Sequence, residues 1–141
     1  MVAVFLIDIK VMKIRSLIVL LVLICCVSCE PLVDHVYSIK IHNNTSDTIQ
    51  FYGSYAYPDT TITNEKPRLK MAYPSKYSYW DSKEKWEALL LSDTISIFIL
   101  SKDTVDKYSW DKIRSGYKIL ERYDLSLNDL KKQNWKVIYP K

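Results

Sequence analysis

Eleven consecutive apolar residues, Leu17–Val27, stand behind Lys13 and Arg15 and give way to Ser28-Cys29-Glu30-Pro31. The run is too short to cross a bilayer, which takes about 20 apolar residues. A cationic start, a short apolar stretch and a small-residue exit are instead the parts of a secretory signal. Residues 1–28 therefore read as a cleaved N-terminal signal helix, and only residues 29–141 have to fold. Asp8 interrupts Met1–Ile9, whereas Met12-Lys13-Ile14-Arg15 is an ordinary opening for such a signal, so residues 1–11 read as an over-called start.

The remaining stretch has the size of one domain. Residues 29–35 read as a tether and 36–141 as a single globular domain. Only Cys29 is left among the cysteines, which excludes a disulfide framework and a thiolate metal site. The chain's formal charge of +4 comes partly from the signal, and the basic residues of the domain form no run longer than Lys131-Lys132. That pattern gives no argument for nucleic acid. Gly53 and Gly116 are the two glycines. Phosphate-cradling loops and Rossmann turns need several close together, so both are excluded.

All eleven tyrosines and all four tryptophans follow the signal, a composition that suits sheets. Val36–His42 alternates, with Tyr37, Ile39 and Ile41 on one side and Ser38, Lys40 and His42 on the other, as a half-buried strand does. The turn cluster Asn43–Asp47 and the extended run Thr48–Tyr55 then predict a hairpin with a five-residue connection. Pro58, Pro67 and Pro74 make Tyr57–Tyr79 an extended loop with at most an edge strand. Asp81 followed by Glu84 predicts a capped helix carrying Trp86, Leu89 and Leu90. Thr94–Leu100 is the most hydrophobic strand and is expected at the centre, covered on both faces.

Further on, Asp103 is placed to cap a single turn. Ser109 is placed to cap a helix bearing Trp110, Ile113 and Tyr117, with Gly116 at its end. Lys118–Tyr123 reads as a strand. Ser126 and Asp129 form a capping-box pair, with Leu125 and Leu130 set for a hydrophobic staple. Trp135, Val137 and Tyr139 alternate in a last strand. The sum is a sheet-dominated α+β domain of five or six mostly antiparallel strands with three short helices.

The exit from the apolar run resembles the lipobox of bacterial lipoproteins. With Cys29 as the modified residue, Ser28 and Val27 match and Cys26 stands where leucine is usual. With Cys26 instead, Leu23 and Ile24 match but Cys25 takes the small-residue position. Cys29 is the better candidate, Cys26 the alternative, and an uncleaved signal anchor the remaining one. The resemblance implies a diacylglycerol on the thiol and a further acyl chain on the freed amine. Several chains hold a protein at a membrane where one holds it marginally, since each buried CH₂ contributes about 0.8 kcal/mol.

A wider resemblance rests on Asn43-Asn44 before Asp47-Thr48-Ile49, on Tyr57-Pro58-Asp59-Thr60, and on Tyr108-Ser109-Trp110, Arg122–Leu127 and Tyr139-Pro140. These segments resemble small lipoproteins of Bacteroidetes. The resemblance implies a cell-envelope location, lipid-anchored at the outer membrane, and brings no activity with it.

Candidate chemistry is sparse. His35 and His42 would need carboxylates from elsewhere to hold a metal, and seven residues apart they fall on opposite sides of a strand, so no metal and no cofactor is expected. No G-x-S-x-G elbow accompanies them. Asp81, Glu84, Asp103 and Asp129 are accounted for by capping, which leaves catalysis unsupported. The aromatic stretch Tyr73–Trp80 is the candidate ligand contact: Tyr77 and Tyr79 share a face if extended and, with Trp80, could stack on sugar rings, although packing over a sheet edge with their hydroxyls wet is the favoured reading. Thr48, Thr60, Thr94 and Thr104 each follow an aspartate in a pattern similar to the O-glycosylation acceptor of exported Bacteroidetes proteins; turn chemistry alone also explains Asp-Thr. The expectation is a non-catalytic binding or structural domain. Its candidate partners are the membrane, envelope polysaccharide or another envelope protein, and the less favoured alternative is an envelope-polymer hydrolase.

Overall fold

The computed structural model describes residues 35–141. The signal, both lipidation candidates and the tether up to residue 34 lie outside the described residues. Seven strands and four short helices follow one another as β1 (Tyr37–Asn43), β2 (Ile49–Ser54), β3 (Lys70–Ala72), β4 (Tyr77–Ser82), α1 (Trp86–Leu89), β5 (Thr94–Ser101), α2 (Lys102–Lys107), α3 (Trp110–Ser115), β6 (Glu121–Ser126), α4 (Leu127–Lys132) and β7 (Lys136–Tyr139). They form two sheets, one of order β4-β1-β7 and one of order β3-β2-β5-β6. All pairings are antiparallel except β1 with β7. The class is α+β with the sheets dominant, as the sequence pattern predicts.

The alternation of each strand dictates the layering, because successive side chains leave a strand on opposite faces. Ile39 and Ile41 of β1 and Val137 of β7 meet Ile49 and Phe51 of β2, Ile95, Ile97 and Ile99 of β5, and Tyr123 and Leu125 of β6 in one buried cluster. The other face of the four-stranded sheet presents Tyr52, Phe98 and Leu100, covered by Ile62, Val105 and Ile113 from the loop after β2 and from α2 and α3. β5 is thus central and buried on both faces, as its continuous apolar run implies. Tyr52 lies stacked on Phe98 with centroids 4.8 Å apart, and burial pushes its hydroxyl up to about 12.

The predicted β1–β2 hairpin is not formed. The two strands belong to different sheets, and the chain crosses between layers at Asn43–Asp47. Asn43 is wholly buried and holds that corner. Its amide donates to the carbonyls of Asp47 at 2.7 Å and Ala72 at 2.9 Å, and its Oδ1 accepts from the backbone N–H and the hydroxyl of Thr45. A side chain that satisfies buried backbone groups on both sides replaces the ladder a hairpin would have supplied.

The predicted helix cap at Asp81 is also overturned. Tyr77–Ser82 is strand β4, antiparallel to β1, and α1 begins only after Lys85, which makes no side-chain cap. Pairing with the exposed edge of β1 outweighs the local capping preference of Asp81. Asp103 lies inside α2, whose N-cap position is Ser101. Ser109 sits at the N-cap of α3 without a cap bond from its side chain, and Gly116 ends that helix at φ −91° while the left-handed residue is Tyr117. The sixth strand starts at Glu121, three residues later than predicted.

The C-terminal unit keeps its predicted capping box and last strand, but that strand begins at Lys136, and Trp135, expected within it, precedes it with a positive φ in the turn from α4. The Ser126 hydroxyl accepts from the Asp129 N–H at 3.1 Å, the Asp129 carboxylate accepts from the Ser126 N–H, and Leu125 and Leu130 are both buried. Hydrogen bonds from Ser126 hold the Asp129 carboxyl below its ordinary value. Trp135 and Tyr139 pack against the core beside buried Val137. Trp135→Ala should cost about 2 kcal/mol on chemical denaturation, against about 1 kcal/mol for Ser126→Ala. Equal small losses would make the segment a peripheral tail.

Candidate ligand-binding face

α1 and α4 send Trp86, Leu90 and Leu130 into the inter-sheet core, and α2, α3 and the loop 56–69 cover the four-stranded sheet. The outer face of the three-stranded sheet carries none of these elements. Its residues follow from the register. Lys40 stands between Tyr79 and Lys136, His42 between Tyr77 and Ile138, and Ser38 beside Asp81. Three rows of outward side chains result, with Tyr77 and Tyr79 45% and 47% exposed and Ile138 38% exposed.

Tyr77 is fixed from two sides. The His42 ring stacks on it at 4.4 Å, and the Lys136 ammonium sits 5.1 Å from its ring centroid. Tyr79, two residues along, makes no ring contact among the described residues; its carbonyl accepts a 2.5 Å bond from Lys70. Beyond the tyrosines the chain leaves α4 through Asn134 and Trp135, both with positive φ (52° and 58°). For a tryptophan that is a strained conformation, held here by the bond from its N–H to the Leu130 carbonyl at 2.7 Å and by the packing of its ring on the core. The turn brings Gln133 and Asn134 beside the sheet. Lys40, Tyr77, Tyr79, Gln133, Asn134 and Lys136 line a groove of about 390 Å³.

Of the three aromatic residues singled out from the sequence, the strand therefore brings Tyr77 and Tyr79 together and turns Trp80 away. Trp80 opposes Ile39, faces inward, and packs edge-on to Trp86 with centroids 5.3 Å apart. Strand parity separates it from the tyrosines. Lys136, Gln133 and Asn134 were not visible as site residues. The alternation marks Lys40 and His42 as outward-facing, but only the parallel pairing of the first strand with the last brings Lys136 beside them.

Phenol rings, ammonium groups and side-chain amides are the functional groups of this groove, and no carboxylate lines it. They can stack on a ligand face, donate hydrogen bonds and attract negative charge. A groove of about 700 Å³ on the other side contains Arg114 and Arg122, but both guanidinium groups serve the fold. Arg122 bonds Asp124, the Tyr117 hydroxyl and the Thr60 carbonyl, and Arg114 bonds Asn64. A third, of about 410 Å³, lies between Tyr37, Trp86 and Trp135 at the end of the sandwich, with Glu87 as its single carboxylate. Lys131 at 2.8 Å holds that carboxyl below its ordinary value.

Thr48, Thr60, Thr94 and Thr104 are all half-buried. Thr48 immediately precedes β2, Thr60 lies in the loop after it, Thr94 opens β5, and Thr104 is inside α2 rather than at a boundary. His35 is exposed ahead of β1, outside the strand that carries His42. Among the described residues no group of three or more histidines, cysteines and carboxylates could hold a metal ion. No described helix is long and apolar enough to cross a membrane. Comparison with family models, with curated proteins and with solved structures gave no match.

Proposed function

We propose that the chain is a lipoprotein of the bacterial cell envelope, held by acyl chains on Cys29, whose domain binds glycan through the outer face of its three-stranded sheet. The anchor rests on the lipobox resemblance and on the length of the apolar run. The binding role is carried by one observation: two half-exposed tyrosines stand side by side on an uncovered strand, in a groove they share with Lys40, Lys136 and the amides of Gln133 and Asn134. Tyr55, Tyr73 and Tyr117 are similarly exposed, and what distinguishes Tyr77 and Tyr79 is that strand parity sets both on one sheet face beside donors and cations.

Tyr79 is the platform because no other ring occupies it. Tyr79→Ala should abolish retardation of the protein in gels containing envelope polysaccharide while leaving its free energy of unfolding within about 0.5 kcal/mol of the parent, as surface substitutions do. A variant that migrates like the parent in every polysaccharide gel would remove the face from consideration. The anchor is tested separately by the mass of the chain from cells treated with an inhibitor of lipoprotein signal processing. Retention of the signal is expected under treatment, and acylation at Cys29 rather than Cys26 without it. In the same spectrum, hexose-sized increments would report modification of the Asp-Thr hydroxyls.

A further inference from the structure

We infer that the ligand of the tyrosine face is an acidic polysaccharide, whose carboxylate groups are taken by Lys40 and Lys136. This deepens the glycan reading and rests on it. Lys40 and Lys136 occupy directly opposed positions on β1 and β7. Like charges directly across two strands destabilise a sheet. Here the row reads Tyr79, Lys40, Lys136, without an acid.

The one carboxylate on the neighbouring part of the face is already engaged: Asp81 accepts from the Ser38 hydroxyl at 2.6 Å and pairs with Lys70 at 3.7 Å. Lys102, Lys131 and Arg122 stand beside Asp106, Glu87 and Asp124. Among the described residues neither Lys40 nor Lys136 has such a partner. The open face of the sheet thus carries both lysines with no carboxylate of the described residues paired to either, the Lys136 ammonium resting over the Tyr77 ring.

What surrounds the pair selects the anion. Tyr79 lies in the same row and offers a ring face to the apolar side of a sugar, and Gln133 and Asn134 offer donors and acceptors to hydroxyl groups at the same groove. Lysine is a point charge that accepts a carboxylate from several directions, which suits a flexible polymer better than a fixed bidentate site would. A uronate-bearing chain meets all three features at once: ring face, hydroxyls and a carboxylate on each acidic unit.

The test uses the full acylated chain in nanodiscs of neutral lipid. Binding is measured to polygalacturonate, alginate and hyaluronate, to the methyl-esterified form of each, and to single-stranded DNA. The expected result is binding of at least one acid polymer, about tenfold weaker for its neutral ester and weakened by added salt. Lys40→Gln/Lys136→Gln should erase the difference between acid and ester while keeping the residual ester binding, and Tyr79→Ala should remove both. Equal binding of acid and ester, abolished by Tyr79→Ala, would overturn the acidic assignment and leave the glycan face standing. Binding of none of the polymers, or binding indifferent to Tyr79→Ala, would remove the face itself. DNA bound as tightly as the acid polymers would overturn the proposal in favour of indiscriminate polyanion attraction.

Discussion

Asn43→Ala should lower the free energy of unfolding by about 4 kcal/mol, more than any other polar substitution in the domain. The side chain is wholly buried and makes four hydrogen bonds, two as donor and two as acceptor. Alanine removes all four partners at once. The Ala72 carbonyl and the Thr45 N–H are left without them, and each orphaned buried group costs about 1–3 kcal/mol. Asn43→Asp separates hydrogen bonding from volume. Aspartate has the same shape, but its second oxygen would face the Asp47 and Ala72 carbonyls, acceptor against acceptor, and would bury a charge there. If the hydrogen bonds hold the corner, urea denaturation at neutral pH should find Asp at least as damaging as Ala. An aspartate variant near the parent in stability would mean that the corner is held by shape alone.

The same residue explains where the sequence is a good guide to this fold and where it is not. Local signals with a single local partner are legible. Ser126 and Asp129 are three residues apart and form the capping box their spacing implies, and the run from Thr94 lies buried on both faces. Asn43–Asp47 has the composition of a hairpin turn, but composition does not state which sheet the next strand joins. That choice is made by Ala72, 29 residues away, whose carbonyl accepts the Asn43 amide. Asp81 is legible as a cap in isolation and is a strand residue because β1 offers it an edge. Long-range pairing decided both, and neither partner is adjacent in sequence.

The candidate face is divided in the same way. That Tyr77 and Tyr79 share a side, and that Lys40 and His42 face away from Ile39 and Ile41, follows from a period of two. The row that joins Tyr79, Lys40 and Lys136 does not, because it needs β7 to run parallel to β1 at one register, across almost the whole domain. A shift of one residue in that pairing would put Val137 where Lys136 stands and dissolve the lysine pair. Buried Val137 opposes that shift: a slip of one residue would carry it from the core to the solvent side and bring a lysine in.

Gly53→Ala should cost about 3 kcal/mol, against the direction such a change ordinarily takes in a strand. The position has no positive φ, so alanine fits its backbone, and the loss of unfolded-state entropy would favour alanine by up to about 1 kcal/mol. Space decides the sign instead. Gly53 points between the sheets, and a Cβ there would fall on the six-membered ring of Trp80, at Cη2 and Cζ3. Trp86 packs edge-on to that ring and Tyr55 lies 5.7 Å away, so moving it disturbs an aromatic cluster. The ring therefore occupies the space that a side chain at position 53 would need. The double-mutant cycle with Trp80→Val isolates this contact. In the valine background Gly53→Ala should be neutral or slightly stabilising, giving a coupling of about 3 kcal/mol. A penalty that persists without the tryptophan would place the constraint in the strand itself. Because Trp80 and Tyr79 are neighbours on β4, the cycle also bears on the outer face: if seating Trp80 against Gly53 is what holds the strand in place, Gly53→Ala should weaken ligand binding at Tyr79 even in conditions where the domain remains folded.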